Sequence, residues 1–301
     1  MQKRNTDPWH PIALSEQISS ESPIRVCTEQ DEIALFRDSG SVVRALEDRC
    51  PHRRVPLSLG KVINGDLRCA YHGWTFNGAN GNCTQIPNLS ADESVPKRYK
   101  VAGFDVREVD GFVYLRKTSQ PQSVGDCGPH SDIETQLPLF GSLIIPFDTL
   151  AYQLAMIDGP ETLFGIHNVG FTDFFLGDPV WREGRFISDR AAGWTVKGKA
   201  PSKWDRDYPF ILRTVFNSHN GMITHHLLDP EDKVVAEVHL GIFSGPRQTT
   251  NVVWRGTVHP DHGYSRKILR SKSPIAVFDR LDGAAIASLL TGPSLQMRKA
   301  G

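Results

Sequence analysis

The chain has 301 residues, enough to bury the core of one large domain or two ordinary ones. Its 34 basic and 34 acidic residues leave no net charge, so the balance gives no sign of the clustered Lys and Arg that bind nucleic acid or an anionic membrane surface. There is no run of about 18 apolar residues and no apolar signal core at the start, so a soluble protein of the cytoplasm is expected.

In chain order, residues 1–23 are polar with early prolines and read as an arm lying across the domain that follows, with Trp9 as its anchor. From residue 24 short apolar runs alternate with turn residues. Residues 32–36 and 42–46, joined through Asp38-Ser39-Gly40, predict a β-hairpin leading to Cys50. A strand at 66–70 leads to Cys69, and 74–76 runs into Asn77-Gly78 and Asn80-Gly81 turns. A further hairpin is expected from 100–106 and 112–115, turning at Asp110-Gly111. Residues 24–117 thus predict a compact antiparallel domain. Residues 118–145, rich in Pro, Gly and polar residues, have the composition of a linker. A second domain is expected over 146–301, with strands at 181–187, 193–199, 211–217, 222–228, 234–243 and 249–258, and a loosely helical spacing over 271–290 interrupted at Gly283. Leu228-Asp229-Pro230-Glu231-Asp232 reads as the turn of a long hairpin.

The chemistry concentrates in residues 50–74. Cys50-Pro51-His52 and Cys69-Ala70-Tyr71-His72 are two mixed pairs, C-x-H and C-x-x-H, separated by a stretch of loop and strand. Two thiolates and two imidazoles suit either a tetrahedral zinc or a 2Fe-2S cluster in which two histidines replace two cysteines on one iron. Zinc fingers tend to use pairs of one residue type. A mixed pair on each of two loops lets Cys50 and Cys69 hold one iron and His52 and His72 the other, which is Rieske ligation. The remaining cysteines, Cys27, Cys83 and Cys127, are odd in number and at no metal-like spacing, and read as free thiols. No Ser/His/Asp arrangement, phosphate-binding Gly loop or dinucleotide fingerprint competes for the role of active site.

With those residues in view, the segment from Val43 to Pro87 resembles the Rieske non-haem iron oxygenases, and among them the vanillate- and phenoxybenzoate-type monooxygenases, whose loops read much like CPHRxxPLSxG and CxYHGWxF. The resemblance implies an α+β protein: an N-terminal antiparallel Rieske 2Fe-2S domain and a C-terminal antiparallel sheet flanked by helices, of helix-grip type. It separates the chain from membrane-tethered Rieske proteins, which carry an extra Cys in each loop. It also implies a mononuclear Fe(II) held by two histidines and a carboxylate. In the family the histidines lie on a helix in a stretch like E-N-L-x-D-x-x-H-x4-H, whose Asp bridges to the Rieske His of a neighbouring subunit.

Set in register on Glu161 and Leu163, the bridging Asp falls on Gly165, the first His on Asn168 and the second on Asp173. Asp282 stands where the family places its carboxylate. An atypical iron site from His167, Asp173 and Asp282, with Asp158 or Asp279 as further oxygens, is chemically conceivable, although a one-residue slip on a helix turns a side chain by about 100°. His225 and His226, adjacent in a predicted strand, point to opposite faces. The remaining histidines His219, His239, His259 and His262 read as ordinary strand and loop residues. An intact cluster motif beside an eroded iron motif implies a subunit that takes electrons from a flavin- or ferredoxin-type reductase. It would pass them to the iron of a related subunit in a ring-shaped hetero-oligomer, for hydroxylation or oxidative demethylation. The alternatives are a self-sufficient monooxygenase and a non-catalytic scaffold or redox sensor.

Overall fold

A computed structural model of the protein describes residues 9–90, 93–116, 136–195 and 208–279. The chain divides into two compact units, one from residues 1–134 with 245–247, the other from 135–244 with 248–301. Strands dominate, with two short α-helices among the described residues. None of the described helices is long and apolar enough to cross a membrane.

The first unit is three small antiparallel sheets. One has the order β2-β3-β4, from Ile24–Cys27, Glu32–Arg37 and Val43–Glu47; another has β5-β6-β7-β8, from Lys61–Ile63, Asp66–Arg68, Thr75–Phe76 and Cys83–Gln85. In the third, β1 (His10–Leu14) and β9 (Asp105–Val109) flank β10 (Phe112–Arg116). The turns are set by local chemistry. Asp38 accepts bonds from the amides of Gly40 and Val42, and Asp110 and Gly111 both take the positive φ (52° and 76°) that a tight hairpin demands. The segment expected as an arm contributes β1, paired along β10, and Trp9 is buried beneath the guanidinium groups of Arg107 and Arg116. Phe36, Leu46, Leu57, Leu67 and Phe76, together with Cys50, Cys69 and Trp74, form the core.

The second unit is built on one antiparallel sheet, β11-β19-β18-β17-β16-β15-β13, with β14 on β15. These strands are Leu139–Ile145, Thr250–Val258, Val234–Ser244, Met222–Leu228, Phe210–Asn217, Arg185–Trp194 and Val169–Phe175, with β14 at Val180–Arg182. Helix α1 (Thr149–Asp158), capped by Asp148 accepting from the Ala151 amide, lays Tyr152, Ala155 and Met156 into a core with Phe210, Ile223, Val238 and Leu240. Alternate residues of the central strands point into this core and the rest point to the other face. A four-residue helix, α2 (Ser265–Ile268), follows the sheet.

Three expectations change. The strand expected over 181–187 is a hairpin, because Glu183 and Gly184 turn the chain with φ of 51° and 74°; β14 ends before them and β15 begins after. The helical spacing of 271–290 gives way at its start to a strand, β20 (Ile275–Val277), which pairs with β12 (Phe164–Ile166); residues 280–301, with Asp282, lie outside the described residues. Third, the stretch on which the iron-binding helix was expected is strand, turn and strand. After a single 3-10 turn (Pro160–Thr162) it runs through β12, turns at 167–168 and continues as β13.

Candidate functional site

The two Cys/His loops close in the same way. The Cys50 amide donates to the Val55 carbonyl (2.9 Å) and the Arg54 amide to the Cys50 carbonyl (2.8 Å). In the second loop the Cys69 amide donates to the Trp74 carbonyl (2.8 Å) and the Gly73 amide to the Cys69 carbonyl (3.1 Å). The fifth residue of each loop, Arg54 or Gly73, takes a positive φ, 58° and 70°. Glycine suits the second because a Cβ there would stand 3.0 Å from Pro87.

These matching turns bury the cysteines and expose the histidines. Cys50 and Cys69 are 2% and 3% exposed and lie beside each other in the core, while His52 and His72 face solvent with ring centroids 4.7 Å apart. Trp74 stacks on His52 at 4.8 Å and 5°, and Tyr71 packs on His72 at 3.9 Å, so neighbouring aromatic rings fix both imidazoles. The amides of His52 and Arg53 both bond to the Cys50 sulfur, yet burial and the nearby Cys69 push this thiol up to about 11 in the metal-free chain. Slight desolvation, then His72 and Arg53, hold His52 below its ordinary value. The four donors therefore form a sulfur pair and a nitrogen pair. A buried sulfur pair beside an exposed imidazole pair is the donor set of a two-iron cluster with cysteines on one iron and histidines on the other.

Asp48, two residues before Cys50, went unnoticed in the sequence. Its side chain is wholly buried and accepts from both the amide and the hydroxyl of Ser58, each at 2.6 Å, with Arg25 at 3.4 Å. This carboxylate ties the entry of the first loop to its exit.

In the second unit the described residues considered for an iron site lie on separate elements. His167 lies in the turn between β12 and β13, where its amide donates to the Pro274 carbonyl. With no helix here, the angle between helical neighbours is irrelevant; Asn168 takes a φ of 64° and bonds through its side chain to the Lys267 carbonyl. Gly165 is on β12 and Asp173 is exposed on β13. Neither His167 nor Asp173 joins a trio of close donors among the described residues.

A buried arginine lies among these elements. Arg190, on β15, is 2% exposed, lies over the Phe175 ring at 4.2 Å, and donates to the Ile157 and Asp158 carbonyls at the end of α1. Glu161, Asp158 and Asp173 all act on its charge, and burial lowers its pKa from the ordinary arginine value. Replacing it as Arg190→Met keeps most of the bulk but strips the helix end of a charged donor. A loss of about 1.5–3 kcal/mol is expected, to be read as a shift in the denaturant midpoint at constant slope.

His225 and His226 point to opposite faces of the sheet, as expected, and two of the histidines read as ordinary, His239 and His259, join His226. His225 turns into the core, stacks on Phe164 at 4.5 Å and meets Thr214, and burial pushes it down to about 3. His226, His239 and His259 converge on Glu237 on the other face. The hairpin turn at 228–232 marks the two strands, but a register shift between Leu227 and Leu228 sets His226 opposite Glu237, one residue beyond the Ala236 that counting outward from the turn would give.

Comparison with known proteins agrees with the geometry. The Rieske [2Fe-2S] domain family matches residues 8–110. The chain is 40% identical over 116 residues to the chloroplast protein TIC 55 of Pisum sativum, covering 38% of this chain and 21% of that protein. It is 33% identical over 175 residues to the phthalate 4,5-dioxygenase oxygenase subunit of Pseudomonas putida, covering 56% and 39%. The matched stretches thus span well under half of those relatives. In structure, the chain is similar to dicamba monooxygenase with a TM-score of 0.63 at 18% identity, over 98% of this chain and 88% of that one, which speaks for the fold of both units.

Proposed function

We propose that this chain, which belongs with the Rieske non-haem iron oxygenases in its [2Fe-2S] domain and its fold, is the electron-delivering subunit of an oxygenase assembly and not its oxygen-activating one. Cys50 and Cys69 would hold one iron of the cluster and His52 and His72 the other. When bound, such a cluster carries one electron at a time, at a potential raised by its histidine ligands. The exposed imidazoles place their outer nitrogens where a partner can hydrogen-bond to them, and Trp74 and Tyr71 fix the rings for that contact. The electrons would come from a flavin- or ferredoxin-type reductase in the cytoplasm and end on the mononuclear iron of a related subunit in a ring-shaped hetero-oligomer, where hydroxylation or oxidative demethylation takes place.

Arg190 carries the division of labour. The carboxylates of Glu161, Asp158 and Asp173, in the stretch that would bind iron, lie near enough to act on the buried Arg190 charge, and the two histidine positions hold Asn168 and Asp173. A fixed cation amid the acidic groups opposes a second cation there. The test is turnover. The purified protein with a reductase, oxygen and an aromatic or N-methyl substrate is expected to reduce its cluster and form no product. The reduced cluster is expected to reoxidise rapidly once a related subunit with an intact iron site is added. Product formation by the chain alone would sink the proposal.

A further inference from the structure

The second unit carries a set of donors on the sheet face turned away from its core. His226 projects there because its neighbour His225 projects the other way, and β17 pairs with β18 so that His226 lies across from Glu237 and Thr224 across from His239. His239 Nε2 is 2.9 Å from Glu237 Oε2 and His226 Nε2 is 3.6 Å from the same oxygen; His259 Nε2, from the loop after β19, is 3.2 Å from Glu237 Oε1. The donor atoms of His226, Glu237 and His239 all lie within 4.8 Å of one another. Glu237 and His239 are buried, and His226 and His259 are partly open, which leaves a way in.

Three imidazole nitrogens facing one carboxylate need something positive between each nitrogen and an oxygen: a proton at every contact, or a shared metal ion. Thr224 bears on the choice. Its hydroxyl lies 3.2 Å from His239 Nδ1, and where it accepts a hydrogen bond from the Nδ1–H, the Nε2 lone pair is left toward Glu237. A ligating histidine is usually fixed by such a bond on its other nitrogen. The spacing also suits an ion, because donors about 2.0–2.2 Å from a tetrahedral centre stand about 3.4 Å apart.

We propose that His226, Glu237 and His239 bind a divalent first-row transition ion, with His259 as a fourth ligand. Imidazole and carboxylate together suit zinc, ferrous iron, cobalt or nickel and not calcium or magnesium, which take oxygen ligands. The site lies on β17 and β18, away from the stretch 161–173, and does not depend on the electron-delivery role.

The test uses the full chain with its [2Fe-2S] cluster, freed of loose metal and titrated with Zn2+ against a coloured chelator. One equivalent of zinc is expected to bind beyond the cluster's irons. Glu237→Gln and His239→Gln are expected to abolish that uptake while the visible spectrum of the cluster stays unchanged, which reports a folded protein. Thr224→Val, which removes only the bond to His239 Nδ1, is expected to weaken binding by about 10–100-fold. As a check needing no variant, Cu2+ in the wild-type chain is expected to give an EPR spectrum split by at least two nitrogens. Absence of stoichiometric zinc uptake by the wild-type chain, or uptake that survives both substitutions, would overturn the site.

Discussion

Cys69→Ser is expected to remove the [2Fe-2S] cluster outright, with loss of its visible absorption, its EPR signal and both of its irons. Serine nearly matches the thiol in size but offers a hard, protonated hydroxyl where a soft thiolate is needed, and Cys69 is buried. His72→Cys distinguishes iron from zinc. It is expected to keep a coloured centre whose reduction potential falls by a few hundred millivolts, toward the range of all-cysteine clusters. A zinc centre would tolerate the same exchange as a colourless protein with one zinc per chain. Because His52 and His72 are exposed and the cysteines are not, histidine substitutions are expected to alter the potential and the partner contact with little effect on the surrounding core. Iron counts alone do not separate electron donor from complete enzyme if the second unit binds an ion at Glu237; the comparison should be made in the Glu237→Gln background.

The cluster loops were legible in the sequence because everything that shapes them is local. Each runs from one Cys amide to a carbonyl five residues on, and the positive-φ residue falls inside that span. The hairpins of the second unit were legible for the same reason: alternation marks 211–217 and 222–228, and Asp229 accepts from the amides of Glu231 and Lys233 to make the turn. What escaped depends on distant partners. Ile275 and Val277 fit a helical face as well as a strand, and β20 is a strand because it lies beside β12, over a hundred residues earlier in the chain. That pairing also makes strand of a stretch whose residues resemble a helix. Arg190 gave no signal in the sequence, since its role comes from meeting the end of α1 across the fold. Glu237 and its histidines escaped because a register shift between Leu227 and Leu228 moves the pairs away from those that the turn alone would set.

Asp48→Ala is expected to destabilise the first unit by about 3–5 kcal/mol. Two short bonds end on this buried carboxylate, both from Ser58, and hydrogen bonds to a charged group are each worth about 1.5–3 kcal/mol. Ser58 and Asp48 bracket the loop that carries Cys50 and His52, so alanine frees both ends of the loop and leaves the Ser58 amide without its acceptor. Iron is then expected to leave faster to a chelator, with the first loop opening before the unit unfolds. Asp48→Asn separates the contributions. It keeps an oxygen for the Ser58 amide, turns the other position into a donor that the Ser58 hydroxyl can accept, and removes only the charge, so about half of the loss is expected to return. Arg25→Gln serves as the control. Arg25 is 44% exposed and 3.4 Å from Asp48, and an ion pair so open to solvent is worth about 0–1 kcal/mol. Denaturant unfolding of the cluster-loaded chain and the rate of iron release together check the order Ala, Asn, Gln. An alanine variant that holds its cluster like the wild type would show that the loop is fixed by its own turn and by the metal.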